Sequence, residues 1–148
     1  MTYSRAIRGP DVTKGEQALA RARALVGTRF VAQGRDPATG LDCVGLALIA
    51  FAIDPTGVPD DYRLSGAHRD AILRFALPRF RRVSRRQLLS GDLLLLQPGA
   101  DQWHLGIWTG SGLIHADLSC RRVVERSGAI GWPVTAALRP RTRFAKGS

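Results

Sequence analysis

The run from Leu41 to Ile53 constrains the fold more than any other segment of this chain, because it would form a helix that is apolar on every side. Its uncharged part, from Cys43 to Ile53, has only 11 residues, whereas a membrane-spanning helix needs about 20. A short helix that is hydrophobic all round is typical of a protein interior. We therefore expect other elements to cover this helix, and we expect no membrane insertion.

Two further helices are predicted around this buried one. Thr13 and Glu16 fit a capping box, in which each side chain accepts a hydrogen bond from the other residue's backbone amide. The first helix should therefore start there and end at Gly27. Ser65 can cap a third helix, which Pro78 would stop.

The second half of the chain has the spacing of strands instead. Short apolar segments are separated by Gly, Pro, Ser and Asp, at Asp92–Gln97, Trp103–Thr109, Leu113–Leu118, Arg121–Arg126 and Val134–Arg139. Helices followed by strands indicate an α+β domain with a mainly antiparallel sheet. The length of 148 residues fits one domain over 1–148.

The charge of the chain leaves two kinds of partner open. There are 22 Lys and Arg against 12 Asp and Glu, a formal net charge of +10, and five Arg crowd into Arg79–Arg86. Arg holds phosphate and carboxylate oxygens in its planar fork, so nucleic acid binding is one hypothesis. A solvated basic face is the plainer interpretation, and we favour it.

Cys43 is a candidate nucleophile because it follows Asp42 at the start of the buried helix. A helix N-terminus carries partial positive charge and unpaired amides, which should lower the pKa of a thiol and stabilise an oxyanion. The alternative is a small core residue, since free Cys is often buried. Cys120 has no His nearby in the sequence, and we interpret it as a packing or surface thiol. Without an export signal we expect no disulfide between the two.

Two of the three His can meet across a hairpin, whereas His68 falls on a predicted polar helix face and is interpreted as solvated. If Gly110-Ser111 is a two-residue type II′ turn, the register pairs Gly106 with His115 and His104 with Asp117. An odd-length loop would separate the two His onto opposite faces.

That register predicts one polar face and one apolar face for the hairpin. His104, His115 and Asp117 share the polar face, with room for the rings beside Gly106, while Leu105 and Ile107 face the buried helix. A thiol near two imidazoles indicates a Cys-His hydrolase or transferase, with His104 as base and either His115 or Asp117 as its orienter. We expect no metal, because closely spaced ligand pairs are lacking.

Five motifs in order resemble the NlpC-type papain-like cysteine peptidases. They are Leu25-Val-Gly-Thr-Arg-Phe30, Gly40-Leu-Asp-Cys-Val-Gly-Leu46, Gly91-Asp-Leu-Leu-Leu95, His104-Leu-Gly-Ile-Trp-Thr-Gly110 and Leu113-Ile-His-Ala116. The resemblance covers about residues 16–126. It implies a papain-like fold in which N-terminal helices, including the nucleophile-bearing one, pack on the sheet.

The resemblance also implies roles for single residues. Cys43 looks like the nucleophile, His104 like the base and His115 like the third, orienting member. Phe30 takes the place of a Tyr beside the site, and Asp42 that of the Asp in an Asp-Cys-Ser-Gly motif. Such peptidases use no metal or cofactor and commonly cleave peptidoglycan stem peptides, typically next to D-glutamate and a diamino acid. Val44 departs from the usual Ser, and Gln33-Gly34 stands where Trp-Gly-Gly is common.

The Asp-Cys-Val-Gly form and the small size resemble members encoded with phage and gene-transfer-agent tail genes. We therefore expect a cell-wall endopeptidase that is made in the cytoplasm without a signal peptide and carried to the wall in a phage-like tail, with peptidoglycan and tail proteins as partners. The alternatives are an inactive structural or nucleic-acid-binding tail component and a thiol acyltransferase on the same fold. We do not expect nucleic acid to be the main partner.

Overall fold

The fold is described from a computed structural model, which covers residues 13–56, 58 and 68–141. The predicted cap Ser65 and the side chain of His68 lie outside this described part. Within it there are three helices and eight strands, and six of the strands follow the last helix, as predicted; a short hairpin between the first two helices was not predicted. The expectation of an α+β domain is confirmed.

The three helices are α1 (Lys14–Ala24), α2 (Cys43–Ala50) and α3 (His68–Ala76). The predicted capping box of α1 is present, with Glu16 N donating to Thr13 Oγ1 and Thr13 N donating to Glu16 Oε1, both at 3.0 Å. The buried helix is shorter than predicted. Asp42 caps it by accepting from Gly45 N at 2.9 Å, so the helix begins only at Cys43.

The strands form a two-stranded hairpin and a larger sheet. The hairpin joins β1 (Arg35–Asp36) to β2 (Gly40–Leu41). The large sheet contains β3 (Phe80–Val83), β4 (Leu93–Gly99), β5 (Gln102–Trp108), β6 (Gly112–Asp117), β7 (Arg122–Ser127) and β8 (Val134–Pro140). Its order is β3-β8-β4-β5-β6-β7, and every neighbouring pair is antiparallel.

The core lies between α2 and one face of the large sheet. Seven of the eight residues of α2 are buried, as expected for a helix that is apolar all round. Leu105 and Ile107 of β5 pack in the same core as α2, as predicted. No helix in the described ranges is long and apolar enough to cross a membrane.

The opposite face of the sheet is less polar than predicted. Leu94, Leu96, Leu113 and Ala137 form a second buried cluster there, on the same face as His104 and His115. The face predicted to be polar therefore carries both the two His and a buried apolar cluster. His104, His115 and Asp117 lie at the end of β5 and β6 that is next to the start of α2, in a cleft with Cys43.

The Arg79–Arg86 segment contains a strand that the sequence analysis missed. Residues Phe80–Val83 form β3, an edge strand whose Phe80 is buried while Arg81 and Arg82 are exposed. A strand of four residues with one fully buried side chain has too little alternation to be distinguished from a charged loop. Its Arg side chains suit an exposed edge, because charge discourages pairing with another chain.

Gly45 is required by a close approach between α2 and the preceding loop. A Cβ atom at this position would overlap the carbonyl oxygen of Gly34. The same loop is tied to the start of α2 by a hydrogen bond from Asp42 N to Gly34 O at 3.3 Å. The two glycines thus allow the loop to lie against the N-terminus that carries Cys43.

Candidate active site

The hairpin that carries both His has the predicted two-residue loop and register. Gly110 has a φ of +103°, which favours glycine, and Thr109 N donates to Gly112 O at 2.9 Å. Trp108 pairs with Leu113 and Ile107 with Ile114. The even-length loop is confirmed, and it puts His104 and His115 on one face. The same register, if extended, would place Gly106 opposite His115 and His104 opposite Asp117. The backbone pairing of β5 with β6 ends before these residues, at Ile107 and Ile114.

Gly106 does not provide the space that the sequence analysis assigned to it. A Cβ atom there would lie 2.6 Å from Cδ1 of Leu113. The room beside Gly106 is therefore filled by Leu113 and not by an imidazole ring. This prediction is wrong because a diagonal neighbour in the ladder reaches further than the residue directly opposite.

His104 and His115 are in direct contact. Nε2 of His104 lies 2.9 Å from Nδ1 of His115, and the two ring planes are nearly perpendicular at 89°. The His115 side chain is buried, with 1% exposure. Since this contact uses Nε2 of His104, the nitrogen of His104 that remains for a thiol is Nδ1.

Trp132 packs against both imidazole rings, a contact that the sequence did not predict. Its ring centroid lies 5.4 Å from that of each His, with the planes again nearly perpendicular. Trp132 precedes β8, far from both His along the chain. No local spacing in the sequence links Trp132 to the two His. The sequence offers one signal, which is that a Trp between Gly131 and Pro133 is an unusual residue for a turn.

Cys43 lies at the first residue of α2, beside the strand that carries His104. Its sulfur accepts a hydrogen bond from the backbone amide of Leu105, the residue that follows His104. An open cleft of about 620 Å³ is lined by all six of the residues predicted for the site: Phe30, Asp42, Cys43, His104, His115 and Asp117. The fold thus brings these residues from four separate parts of the chain into one cleft.

The thiol of Cys43 has a higher pKa than the helix position alone predicts. Burial raises the pKa, and the negative charge of Asp42 raises it further. The Leu105 amide, the Arg35 guanidinium and the Cys43 amide oppose this rise without outweighing it. The prediction of a lowered thiol pKa is wrong, because the helix N-terminus is itself buried and capped by a carboxylate.

The two imidazoles are shifted toward their neutral forms. Burial, reinforced by the neighbouring His115, lowers the pKa of His104 to about 4. Burial also lowers the pKa of His115, although Asp117 partly opposes the shift. With the thiol pKa raised and both imidazole pKa values lowered, the resting site at neutral pH holds a neutral thiol and two neutral rings.

Asp42 holds the start of α2 in place. Besides capping Gly45, its carboxylate accepts from Gln33 N at 2.9 Å and from Arg35 Nη1 at 3.1 Å. These three bonds occupy both oxygens. Through its bond to Gly45 N, Asp42 holds the start of the helix that carries Cys43.

Asp117 is bound to Arg126, at 2.7 Å, and to the backbone amides of Ser119 and Cys120. The hydrogen bond from Arg126 lowers the pKa of Asp117 to about 2. None of the hydrogen bonds found for Asp117 within the described residues goes to His104. Of the two candidate orienters, His115 is the one in contact with His104.

Solved structures with similar folds were found, although no family model matches the chain and no curated protein matches it by sequence. The NlpC/p60 domain of the peptidoglycan hydrolase SagA has a TM-score of 0.55 at 24% identity, over 76% of this chain and 88% of that one. The peptidoglycan hydrolase RipB from Mycobacterium tuberculosis has a TM-score of 0.57 at 23% identity, over 88% of this chain and 66% of that one.

This chain has the NlpC/p60 fold. NlpC1 from Trichomonas vaginalis has it too, with a TM-score of 0.67 at 20% identity over 92% of this chain. The chain spans about half the length of the Trichomonas vaginalis proteins, 47% for NlpC1 and 48% for NlpC2. The predicted papain-like α+β architecture is thereby confirmed.

The remaining candidates lie outside the cleft of this NlpC/p60 fold. Cys120 is a free thiol and is exposed, whereas the free thiol of Cys43, in the cleft, is buried. Arg82, Arg85 and Arg86 line a separate groove between β3 and β8. Among the described residues, no three His, Cys, Asp or Glu side chains are grouped so that they could hold a metal ion.

Proposed function

We propose that the chain is a cysteine amidohydrolase that cleaves amide bonds in peptidoglycan stem peptides. The observation that carries the proposal is the 2.9 Å contact between His104 and His115 in the cleft that Cys43 also lines. A thiol, a base and a group that orients the base are the parts that thiol-based acyl transfer needs. The peptidoglycan hydrolases SagA and RipB, which share the fold, support this choice of substrate.

The first step follows from the neutral resting site. As the Cys43 sulfur attacks the amide carbonyl, Nδ1 of His104 takes the thiol proton, so a free thiolate never has to persist in the buried site. The carbonyl oxygen gains negative charge, and the backbone N–H of Cys43 is available to stabilise it. His104 then returns the proton to the leaving amine, and the acyl group remains on sulfur as a thioester. Water, deprotonated by the same ring, releases the acid.

His115 sets the tautomer that this step requires. For Nδ1 of His104 to accept a proton, its Nε2 must carry hydrogen and donate to Nδ1 of His115. His115 then carries its own proton on Nε2, an atom that is buried and has no hydrogen-bond partner among the described residues. Burial favours the neutral ring that this arrangement needs.

Carriage in a phage-like tail is the finer part of the proposal. It is supported by the Asp42-Cys-Val-Gly45 form of the nucleophile motif. On this basis the protein would be made in the cytoplasm and act at the wall after delivery by the particle. Detection of the chain in purified tail particles would test this part separately.

Digestion of purified sacculi tests the activity itself. Wild-type protein should release soluble stem-peptide fragments, whereas Cys43→Ala should release none while melting at a similar temperature. Cys120→Ala is the matched control and should still release fragments, because its thiol is exposed and outside the cleft. Activity retained in Cys43→Ala would overturn the proposal.

A further inference from the structure

A second depression, of about 540 Å³, adjoins the catalytic cleft. It is lined by Arg29, Phe30, Cys120, Arg121 and Arg122, and Phe30 lines the cleft as well. The turn between β6 and β7 forms a wall of both, with Leu118 and Ser119 on the cleft side. A ligand bound along the cleft can therefore extend past Phe30 into this depression, which we call the arginine pocket.

The arginine pocket holds positive charge that its surroundings do not neutralise. Within the described part of the chain, none of its three guanidinium groups forms an ion pair. The nearby carboxylates have other partners: Asp42 binds Arg35, and Glu125 of β7 binds Arg23. Asp117 is opposite Arg122 in the β6–β7 register, but its carboxylate binds Arg126 at 2.7 Å.

The backbone itself sets two of these charges against each other. Arg29 and Arg122 are directly opposite in an isolated antiparallel bridge. Like charges in opposed positions are destabilising, so the pair has an electrostatic cost that a bound anion would offset. Arg29, Arg121 and Arg122 are all exposed, and each can offer a planar fork that matches a carboxylate.

We propose that the arginine pocket binds a carboxylate of the same peptide whose amide lies at Cys43. This inference rests on the proposed function for the identity of the peptide. The preference of the pocket for an anion is argued from its charges alone. Arg122 already donates through Nη1 to Gly27 O at 3.2 Å, so Arg29 and Arg121 are the residues that determine the specificity. They favour substrates with a free carboxylate over substrates in which that group is an amide.

Binding to the inactive Cys43→Ala protein tests the inference without any turnover. The probes are a γ-D-glutamyl stem-type peptide with free carboxylates and the same peptide with every carboxylate amidated, titrated by calorimetry at low salt. Cys43→Ala should bind the acidic peptide about tenfold more tightly, as expected for two exposed ion pairs. Adding Arg29→Gln and Arg121→Gln should remove this preference and leave the amidated peptide's affinity unchanged.

The matched control adds Arg81→Gln and Arg82→Gln, which remove the same charge from exposed positions of β3. This control should keep the preference for the acidic peptide. The inference is wrong if the pocket variant keeps the preference, or if both variants lose it equally. Carboxylate binding without cleavage by the wild type would overturn the proposed function alone, whereas cleavage without dependence on Arg29 and Arg121 would overturn only the arginine pocket.

Discussion

The protonation of the site depends on single residues, and substitution of His115 is the most informative test of it. It is in contact with the proposed base, because its Nδ1 lies 2.9 Å from Nε2 of His104. Replacing His115 with Ala removes the acceptor that fixes the tautomer, and we expect kcat on a stem peptide to fall about 10²-fold. His115→Gln, which restores an acceptor oxygen, should recover part of the rate.

Asp117→Asn is the comparison for this prediction. Its buried carboxylate binds the exposed Arg126 and two backbone amides rather than His104, so we expect kcat to change less than about threefold. A larger loss for Asp117→Asn than for His115→Ala would contradict the assignment of the orienting role. Steady-state kinetics on one synthetic peptide settles the comparison.

The lowered pKa of His104 also predicts how stability depends on pH. The folded protein binds this proton only below about pH 4, whereas an unfolded His binds it below about 6.5. Between these values the unfolded chain holds more protons, so the free energy of unfolding falls as the pH is lowered from 6.5 to 4. The full effect is about 3 kcal/mol, from the size of the pKa difference.

Denaturant unfolding of the wild type and of His104→Gln at several pH values measures this effect. The variant lacks the titrating ring, so its stability should fall less steeply in the same window. Identical slopes for the two proteins would mean that His104 is not held neutral by burial.

At the scale of elements, the start of α2 carries Cys43, the proposed nucleophile, and depends on close packing. Because a Cβ atom at Gly45 would overlap Gly34 O, Gly45→Ala must push the loop and the helix apart. We expect a loss of about 2 to 3 kcal/mol in the free energy of unfolding, as for other overpacked sites. Gly131→Ala, where nothing lies within 4 Å of the added atom, should change stability little. Equal effects of the two substitutions would contradict this account.

Much of this architecture is predictable from the chain because its signals are local. The capping box at Thr13 and the turn at Gly110 are each formed by hydrogen bonds between residues close together in the sequence. The turn then sets the register of the strands that carry the two His. The position of Cys43 follows from the cap at Asp42. These features depend on residues within a few positions of one another.

The features that the sequence did not predict depend on contacts between distant segments. Trp132 reaches the two imidazoles from the turn before β8, and Leu113 fills the space beside Gly106. The direction of the Cys43 pKa shift depends on how completely other elements bury the helix N-terminus. Local spacing contains none of this information.

At the scale of the whole molecule, the net charge of +10 affects encounter with an acidic substrate. Long-range attraction raises association rates and is screened by salt over about 10 Å at 0.1 M. We expect kcat/KM on a carboxylate-bearing peptide to fall severalfold between low salt and 0.5 M salt, and kcat to change little. A fully amidated peptide is the control and should show a flat salt dependence. Equal salt dependence for both peptides would contradict electrostatic steering.

The central claim is that Cys43 forms the acyl intermediate in an amide hydrolysis. Mass spectrometry of fragments from sacculi digested in water enriched in heavy oxygen tests it most directly. Wild-type and Cys120→Ala proteins should release stem-peptide fragments whose new carboxyl group contains one heavy oxygen atom, and Cys43→Ala should release none. Labelled fragments from Cys43→Ala would contradict the account, as would wild-type products without the label, which would indicate acyl transfer.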